Sequence, residues 1–130
     1  MAETRKRETL LKKILLVEDE QDIANVLAVR LEVNGYEVIL AKDGEEALQK
    51  VKKEKPDLVI LDLMLPKING FEVCRMLKFD GAFKNLPIIV LSALHQQQDR
   101  EKIQQYGADA YFIKPFDLNL LLVKIKALIG

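Results

Sequence analysis

Residues 57–73 read DLVILDLMLPKINGFEV, and this stretch predicts a strand, a loop and a helix in succession. The unbroken aliphatic run at 58–61 has the length of a strand and no polar alternation, which is typical of a parallel strand covered on both faces. A carboxylate, Asp62, follows the run directly. The apolar stripe of the helix beyond the loop consists of Phe71, Cys74 and Leu77.

The same pattern recurs along the chain. Aliphatic runs at 14–17 and 88–91 predict two more central strands, and weaker runs at 37–40 and 111–113 predict edge strands. Glycines mark two helix ends, at Asn34-Gly35 and Tyr106-Gly107. The other helical stripes consist of Ile23, Leu27 and Leu31, of Ala47, Leu48 and Val51, and of Leu118, Leu121 or Leu122, Ile125 and Leu128.

Strands and helices thus alternate five times, and this alternation requires parallel strands joined by right-handed crossovers. With the most apolar strands inside, we expect a doubly wound α/β fold. Its five-stranded parallel sheet has the order 2-1-3-4-5, with five helices distributed over both faces. In such a sheet, ligands bind beyond the carboxyl ends of the strands, where the chain reverses direction.

Composition limits the function classes. The 130 residues, 49% of them hydrophobic, suit one domain, and 20 basic against 20 acidic side chains leave no basic footprint for nucleic acid. One cysteine excludes an internal disulfide, and no apolar run approaches a membrane span, so we expect a cytoplasmic protein. We interpret residues 1–12 as a basic solvated leader without the features of a signal peptide, and residues 13–130 as the folded domain.

Polar residues follow four of the predicted strands, and the fold would bring them to one crevice. Three carboxylates crowded there favour a cation, and Mg²⁺ suits oxygen ligands and phosphate. Asp19 and Asp62 would coordinate it directly and Glu18 through water, with Asp62 as a carboxylate nucleophile and a lysine on a phosphoryl oxygen. The residues of this predicted crevice are Glu18, Asp19, Asp62, Ser92 and Lys114.

Each of these residues also has an ordinary structural interpretation. Asp19 could cap the following helix, Ser92 could be a loop hydroxyl, and Lys114 could be a surface lysine beside a turn proline. It is the combination at four separate strand ends that favours one shared mechanism.

The sequence resembles the receiver domain of two-component response regulators over residues 13–129. Two departures are visible: Ser92 stands where the family more often has threonine, and Asn69 stands before Gly70 where it often has aspartate. Asn69 tolerates the same left-handed backbone, so we expect the turn to be kept. The segments that carry the resemblance are KILLVEDE (13–20), DLVILDLMLPKINGFEV (57–73), PIIVLSA (87–93) and GADAYFIKPF (107–116).

The resemblance implies that Asp62 is the phosphoacceptor. It implies that Asp19, Asp62 and the backbone carbonyl of Met64 bind Mg²⁺, and that Glu18 orients a metal-bound water. Ser92 and Tyr111 would form the switch pair: Ser92 is drawn to the phosphoryl group while Tyr111 turns inward. A cis peptide bond before Pro115 would aim the lysine at the pocket.

Partners also follow from the resemblance. A sensor histidine kinase or phosphotransfer protein would supply the phosphoryl group, and a downstream protein or fused output domain would read the surface of the fourth helix, fifth strand and fifth helix. The sequence predicts that segment 94–106 is the least anchored helix, since it offers the core little beyond Ile103. A monomer or weak dimer is expected; Asp99, Arg100, Asp109 and Lys124 could supply bridges across such a dimer.

Three rival functions remain. One is a receiver-like binding module that is never phosphorylated, although such a module need not keep the acidic and lysine positions. A second is a flavin-binding protein of the flavodoxin-like class, but the acidic loop at 18–20 would repel a flavin phosphate. A third is a phosphohydrolase, but Leu63, Met64 and Leu65 supply no second acid close to Asp62, so we expect no turnover of external substrates. The resemblance implies a self-phosphorylating and slowly self-dephosphorylating switch.

Overall fold

The computed structural model describes residues 11–93 and 97–130; most of the predicted leader and residues 94–96 of the predicted weakly held helix lie outside these ranges. Strands and helices alternate as predicted. In chain order they are β1 (Lys13–Val17), α1 (Gln21–Val33), β2 (Glu37–Ala41), α2 (Gly44–Glu54), β3 (Leu58–Asp62), α3 (Gly70–Phe79), β4 (Ile88–Ser92), α4 (Gln97–Gln105), β5 (Ala110–Ile113) and α5 (Leu118–Ile129).

The sheet has the predicted order, β2-β1-β3-β4-β5, and every adjacent pair is parallel. The pairing register brings the strand ends to nearly the same level. Val17 pairs with Leu61, Asp62 pairs with Leu91, and Ser92 pairs with Ile113. The carboxyl ends of β1, β3, β4 and β5 therefore form one edge, on which the side chains of the following loops converge.

The interiors of β1, β3 and β4 are aliphatic because both faces of the sheet are covered. In β3, Leu58 and Ile60 belong to a core with α1 and α5, whereas Val59 and Leu61 belong to a second core with α2, α3 and α4. All four side chains are fully buried. Successive residues of a strand point to opposite faces, so two covered faces leave no position for alternating polar residues.

Short polar side chains and glycines delimit the helices. Asp43 and Asn69 each accept a hydrogen bond from the backbone N–H three residues later, and so cap α2 and α3. Gly35 and Gly107 follow α1 and α4 with φ of +94° and +93°, which confirms the two predicted helix ends.

The left-handed backbone expected at Asn69 is found instead at Lys67. Asn69 has φ −69° and ψ 162°, since a capping residue needs an extended backbone to aim its side chain at the first helical N–H groups. Lys67 has φ +66°, so it makes the turn with a side chain that carries no local hydrogen-bonding group to favour this geometry.

Helix α4 presents little apolar surface to the core. Ile103 is its buried hydrophobic residue among those described, as predicted. The chain just after the helix is better held: the Tyr106 ring lies 5.8 Å from the Phe71 ring, edge to face, and the Cys74 thiol donates to the Tyr106 carbonyl at 3.3 Å. The C-terminal end of α4 is therefore tied to α3.

Asp109, considered above for a dimer interface, is engaged within the chain. Its Oδ2 accepts hydrogen bonds from the Ile88 N–H at 2.8 Å and from Lys78 Nζ at 3.0 Å. These bonds tie the start of β5 to β4 and α3.

Among the described residues, no helix is long and apolar enough to span a membrane.

The structure decides which leucine of α5 enters the core. Of the two predicted candidates, Leu121 is fully buried and Leu122 is partly buried against the same core, whereas Leu120 is 60% exposed. We expect Leu121→Ala to lower the free energy of unfolding by about 2–5 kcal/mol, because it removes core contacts and leaves a cavity. The matched change Leu120→Ala should stay within about 0.5 kcal/mol of the wild type. Urea unfolding of the two variants measures this difference, and equal losses would contradict the placement of α5.

Candidate functional site

Three carboxylates meet at the carboxyl edge of the sheet. Glu18 and Asp19 follow β1, and Asp62 ends β3. Each offers an oxygen that lies within 4.8 Å of the other two. Glu18 and Asp62 are 6% and 7% exposed, whereas Asp19 is open to solvent. The arrangement has the hard oxygen donors that a divalent cation such as Mg²⁺ prefers, with one open side for a further ligand.

The Asp62 carboxylate is held in a defined orientation by its two oxygens. Oδ1 accepts a hydrogen bond from the Met64 N–H at 2.9 Å, and Oδ2 accepts one from Lys114 Nζ at 2.8 Å. A buried carboxylate is costly unless such partners compensate for lost water. Both partners come from segments that follow strands, so the sheet edge itself aligns the group.

The crowding of carboxylates shifts the pKa of Glu18. Burial first, and then the neighbouring Asp62 carboxylate, raise the pKa of Glu18 to about 7, with partial relief from Lys114. The Lys114 ammonium lies 3.3 Å from Glu18 Oε2. A raised acid pKa next to another carboxylate is the electrostatic signature of a site that holds more negative charge than its ammonium balances. The residues present therefore fit a bound cation.

Lys114 is aimed at the carboxylates by its backbone. Its N–H donates to the Ser92 carbonyl at 2.8 Å, and the Lys114–Pro115 peptide bond is cis, as the resemblance implies. Burial by itself lowers the pKa of this lysine, but Asp62 and Glu18 together outweigh burial and raise it. Lys114 is thus a charged member of the site and not a surface lysine.

Ser92 and Tyr111 lie on β4 and β5, and β4 separates β5 from β3. Ser92 is fully buried at the end of β4. The Tyr111 hydroxyl is buried and, among the described residues, has no hydrogen-bond partner. Burial raises the pKa of the Tyr111 phenol. Arg100 and the Ser92 side chain partly offset this rise in pKa, which shows that Ser92 lies next to the Tyr111 hydroxyl.

The helix-cap interpretation of Asp19 does not hold. The residue that precedes α1 is Glu20, and no side chain there caps the helix. Asp19 is therefore free of a capping role, which leaves its carboxylate to the acidic cluster.

Sequence reasoning missed a contact between two loops of this edge. Gly44, at the start of α2, lies so close to the backbone of Ile68 that a side chain at position 44 would collide with the Ile68 carbonyl oxygen. Asp43 is 4% exposed and lies 3.6 Å from Lys67 Nζ. The sequence carried a signal of this contact. A glycine inside the first turn of a helix lowers stability, so its presence indicates that another segment packs closely against the helix there.

An apolar groove of about 420 Å³ opens beside the acidic cluster, between α1 and the segment after β5. Four charged residues, Glu18, Asp22, Arg30 and Lys114, line it together with apolar side chains. The apolar side chains of the groove include Ile23, Val26, Leu27, Phe116 and Leu118.

Comparison with known proteins agrees with this geometry. The family model described as the response regulator receiver domain matches residues 14–126. The alkaline phosphatase synthesis transcriptional regulatory protein PhoP of Bacillus subtilis is 45% identical over 118 residues, which are 91% of this chain and 48% of that protein. The DNA-binding dual master transcriptional regulator RpaA of Synechocystis is 39% identical over 117 residues, 90% of this chain and 48% of that protein. The chain thus spans about half the length of these relatives.

Solved structures show the same fold. The Francisella response regulator 1452 receiver domain superposes with a TM-score of 0.86 at 30% identity, covering 91% of this chain and 96% of that one. The chemotaxis response regulator CheY4 of Vibrio cholerae gives a TM-score of 0.84 at 30% identity, covering 91% and 98%. Family match, relatives and fold agree: this chain belongs to the receiver domains of two-component response regulators, which act as phosphorylation-regulated switches.

Proposed function

We propose that this receiver takes a phosphoryl group onto Asp62 from a histidine kinase or phosphotransfer protein, in a cytoplasmic two-component phosphorelay. One observation carries the proposal: the Asp62 carboxylate is buried, oriented by the Met64 N–H and by Lys114, and grouped with Glu18 and Asp19. We take residues 13–130 as the receiver and 1–12 as its leader, a division supported by the start of β1 at Lys13.

The reaction that suits this geometry is a transfer between two nucleophiles. An Asp62 carboxylate oxygen attacks the phosphorus of a phosphohistidine, the new P–O bond forms, and the P–N bond breaks. The electron pair of the broken bond stays on the histidine nitrogen, which takes up a proton. The Lys114 ammonium, already 2.8 Å from Asp62 Oδ2, is near enough to hold a phosphoryl oxygen, and the Ser92 hydroxyl is the second donor that we propose.

Mg²⁺ is the proposed cofactor. Asp19, Asp62 and the Met64 backbone carbonyl would hold the ion, and Glu18 would orient one of its waters. When bound, the ion neutralises negative charge on the transferring group. The proposal is supported by the raised pKa of Glu18, because a cation beside this carboxylate removes the reason for it to keep a proton.

The output would be a change at the face that includes α4, β5 and α5. A phosphoryl group adds about two negative charges at the site, and we propose that Ser92 moves toward it while Tyr111 settles inward. Helix α4 is suited to respond, since Ile103 is its buried residue while its C-terminal end stays tied to α3. A downstream protein or an output domain of the same polypeptide would read the altered face, with no nucleic acid bound by the receiver itself.

The groove beside the site is suited to the phosphoryl donor. Because Asp62 is 7% exposed, a donor histidine has to be brought in by a surface that docks next to it. The groove is lined by Glu18 and Lys114 and by apolar side chains of α1, including Val26, which is 68% exposed. We propose that an apolar helical segment of the donor protein occupies it.

The main alternative is a binding module that works without phosphorylation. Such a module gains nothing from a buried carboxylate cluster, which lowers stability unless a cation or phosphoryl group uses it. We propose no turnover of external phosphate, because Leu63, Met64 and Leu65 supply no second acid directly after Asp62.

The first test is phosphorylation by a small donor. Incubation with acetyl phosphate should add one phosphoryl mass in the presence of Mg²⁺ and none with EDTA, because the transfer needs charge neutralisation at the carboxylate cluster. Intact-protein mass spectrometry reads the result. Asp62→Asn should abolish the gain, and Asp80→Asn, at an aspartate outside the site, should keep it. A gain that persists in Asp62→Asn would refute the assigned phosphoacceptor.

A second test uses the pH dependence of stability without metal. Glu18 has an ordinary pKa of 4.5 and a folded-state pKa of about 7, so its contribution stabilises the protein at low pH and is lost as the pH rises through about 7. In EDTA, Glu18→Gln should therefore flatten the fall in unfolding free energy between pH 4.5 and about 7. Glu32→Gln, at an exposed residue, should not. Wild-type pH dependence in Glu18→Gln would show that the site is less crowded than described.

A third test addresses the groove. Val26→Glu should slow transfer from a phosphorylated sensor kinase that serves the wild type by about tenfold or more, since a charge in a desolvated contact is costly. The rate with acetyl phosphate should stay unchanged. Val33→Glu alters a valine on the same helix that is 79% exposed and outside the groove, so it should leave both rates unchanged. Equal kinase rates for the two variants would place donor docking elsewhere.

A further inference from the structure

The loop between β3 and α3, residues 63–69, is gripped from the side by the start of α2. A Cβ atom added at Gly44 would collide with the Ile68 carbonyl oxygen and lie 2.9 Å from the Ile68 carbonyl carbon. Real Cβ atoms do not approach backbone so closely, so only glycine allows this contact. The tip of the loop therefore rests directly on the backbone of α2.

An ion pair closes the same contact. Lys67 Nζ lies 3.6 Å from Asp43 Oδ2 and 3.7 Å from Glu45 Oε2. Asp43 divides its two oxygens between tasks, since Oδ1 caps α2 by accepting from the Glu46 N–H at 2.8 Å while Oδ2 faces Lys67. The hydrogen bond from Glu46 first, and Lys67 after it, lower the pKa of Asp43. Its charge is thus available to Lys67 at neutral pH.

Lys67 has a backbone conformation that is unfavourable for lysine. Its φ of +66° lies in the left-handed region, which is strained for a residue with a Cβ unless its surroundings hold it there. The contacts of Lys67 and Ile68 with residues 43–45 are the restraints on this side of the loop.

The other end of the loop is fixed to the phosphoacceptor. A Cβ atom at Gly70 would lie 2.6 Å from Leu63 Cα and 2.7 Å from the Asp62 carbonyl oxygen, and the Gly70 N–H donates to the Leu63 carbonyl at 3.1 Å. Within the loop, the Met64 N–H donates to Asp62 Oδ1. Any shift of the loop is therefore felt at the Asp62 carboxylate through Met64.

We infer that Asp43, Gly44 and Lys67 form a clasp that positions the phosphoacceptor loop. None of the three touches the reacting atoms. By holding residues 67 and 68, they set the place of Met64, whose N–H orients Asp62 and whose carbonyl is a proposed ligand of Mg²⁺. The inference rests on the proposed function and adds positioning residues to it.

The main experiment compares two glycines. Gly44→Ala should displace the loop, whereas Gly81→Ala fills open space at a residue with ordinary φ. Phosphorylation by acetyl phosphate at saturating Mg²⁺ should slow about 10-fold to 100-fold in Gly44→Ala, the loss expected when a reacting group is misplaced. Mg²⁺ binding to the unphosphorylated protein should weaken as well. Gly81→Ala should match the wild type in both.

A readout without metal separates positioning from simple loss of stability. In the Mg²⁺-free protein, the amide ¹H and ¹⁵N resonances of Met64 report its hydrogen bond to Asp62. They should move in Gly44→Ala and stay in Gly81→Ala, with spectra recorded well below each melting temperature. A folded Gly44→Ala variant with wild-type rate, Mg²⁺ affinity and Met64 resonances would overturn the inference.

If Gly44→Ala does not fold, variants of the ion pair between Asp43 and Lys67 test the inference instead. Asp43→Asn keeps the cap of α2, because asparagine caps as well as aspartate, but it loses the charge that faces Lys67. Phosphorylation should slow about 2-fold to 5-fold, the range for an ion pair whose lysine is exposed to solvent. Lys67→Gln should slow it at least as much, because it also removes the ion pair with Glu45. The double variant should lose no more than Lys67→Gln alone, because that change already removes the ion pair with Asp43. Wild-type rates and Met64 resonances in both single variants would overturn the inference.

The two proposals fail in different ways. A wild-type protein that accepts no phosphoryl group would refute the proposed function, while the Met64 resonances would still decide whether the clasp positions Asp62. A wild-type protein that is phosphorylated on Asp62, with clasp variants that behave alike in every measurement, would refute the clasp alone.

Discussion

The contact between Lys114 Nζ and Asp62 Oδ2, 2.8 Å long, is the interaction on which the site depends. Asp62 sits at the end of a fully buried strand, where an unpartnered carboxylate would be far more costly than any single core contact is favourable. Lys114 compensates for this cost. It reaches Asp62 because β5 ends beside β4, where the Lys114 N–H donates to the Ser92 carbonyl. The strand order is therefore a requirement of the site, because a different order would take the Lys114 ammonium away from Asp62.

Lys114 offsets only part of the negative charge of Asp62 and Glu18, and the uncompensated charge bears on function. One ammonium faces two buried carboxylates, and Glu18 responds with a pKa of about 7. Added positive charge would relieve such a site, so binding of the proposed Mg²⁺ would be coupled to folding stability. The same low solvent access that raises the pKa also strengthens each interaction with an incoming phosphoryl group. A receiver therefore trades some stability for a site that a cation and a phosphoryl group complete.

The two flanks of the site differ in how firmly they are held. On the β3–α3 side, two glycines bring backbone against backbone at Gly44 and Gly70, which leaves the loop little freedom. On the β4–α4 side, the helix offers Ile103 to the core and is tied at its C-terminal end through Tyr106 and Phe71. A reacting carboxylate benefits from a fixed frame, whereas a signal needs an element that can move at small cost. The structure divides these requirements between neighbouring strands.

The sequence by itself determined the fold class, the strand order and the members of the acidic cluster, because unbroken aliphatic runs have one stable use in a covered parallel sheet and the residue after each run must lie at its edge. Only the tertiary structure decided the rest. It buried Leu121 fully and Leu122 only partly, placed the left-handed residue at Lys67 and not at Asn69, and brought Gly44 onto Ile68. These features depend on contacts between segments about 24 residues apart or on the exact rotation of a helix, and neither is encoded in the local periodicity that a single sequence displays.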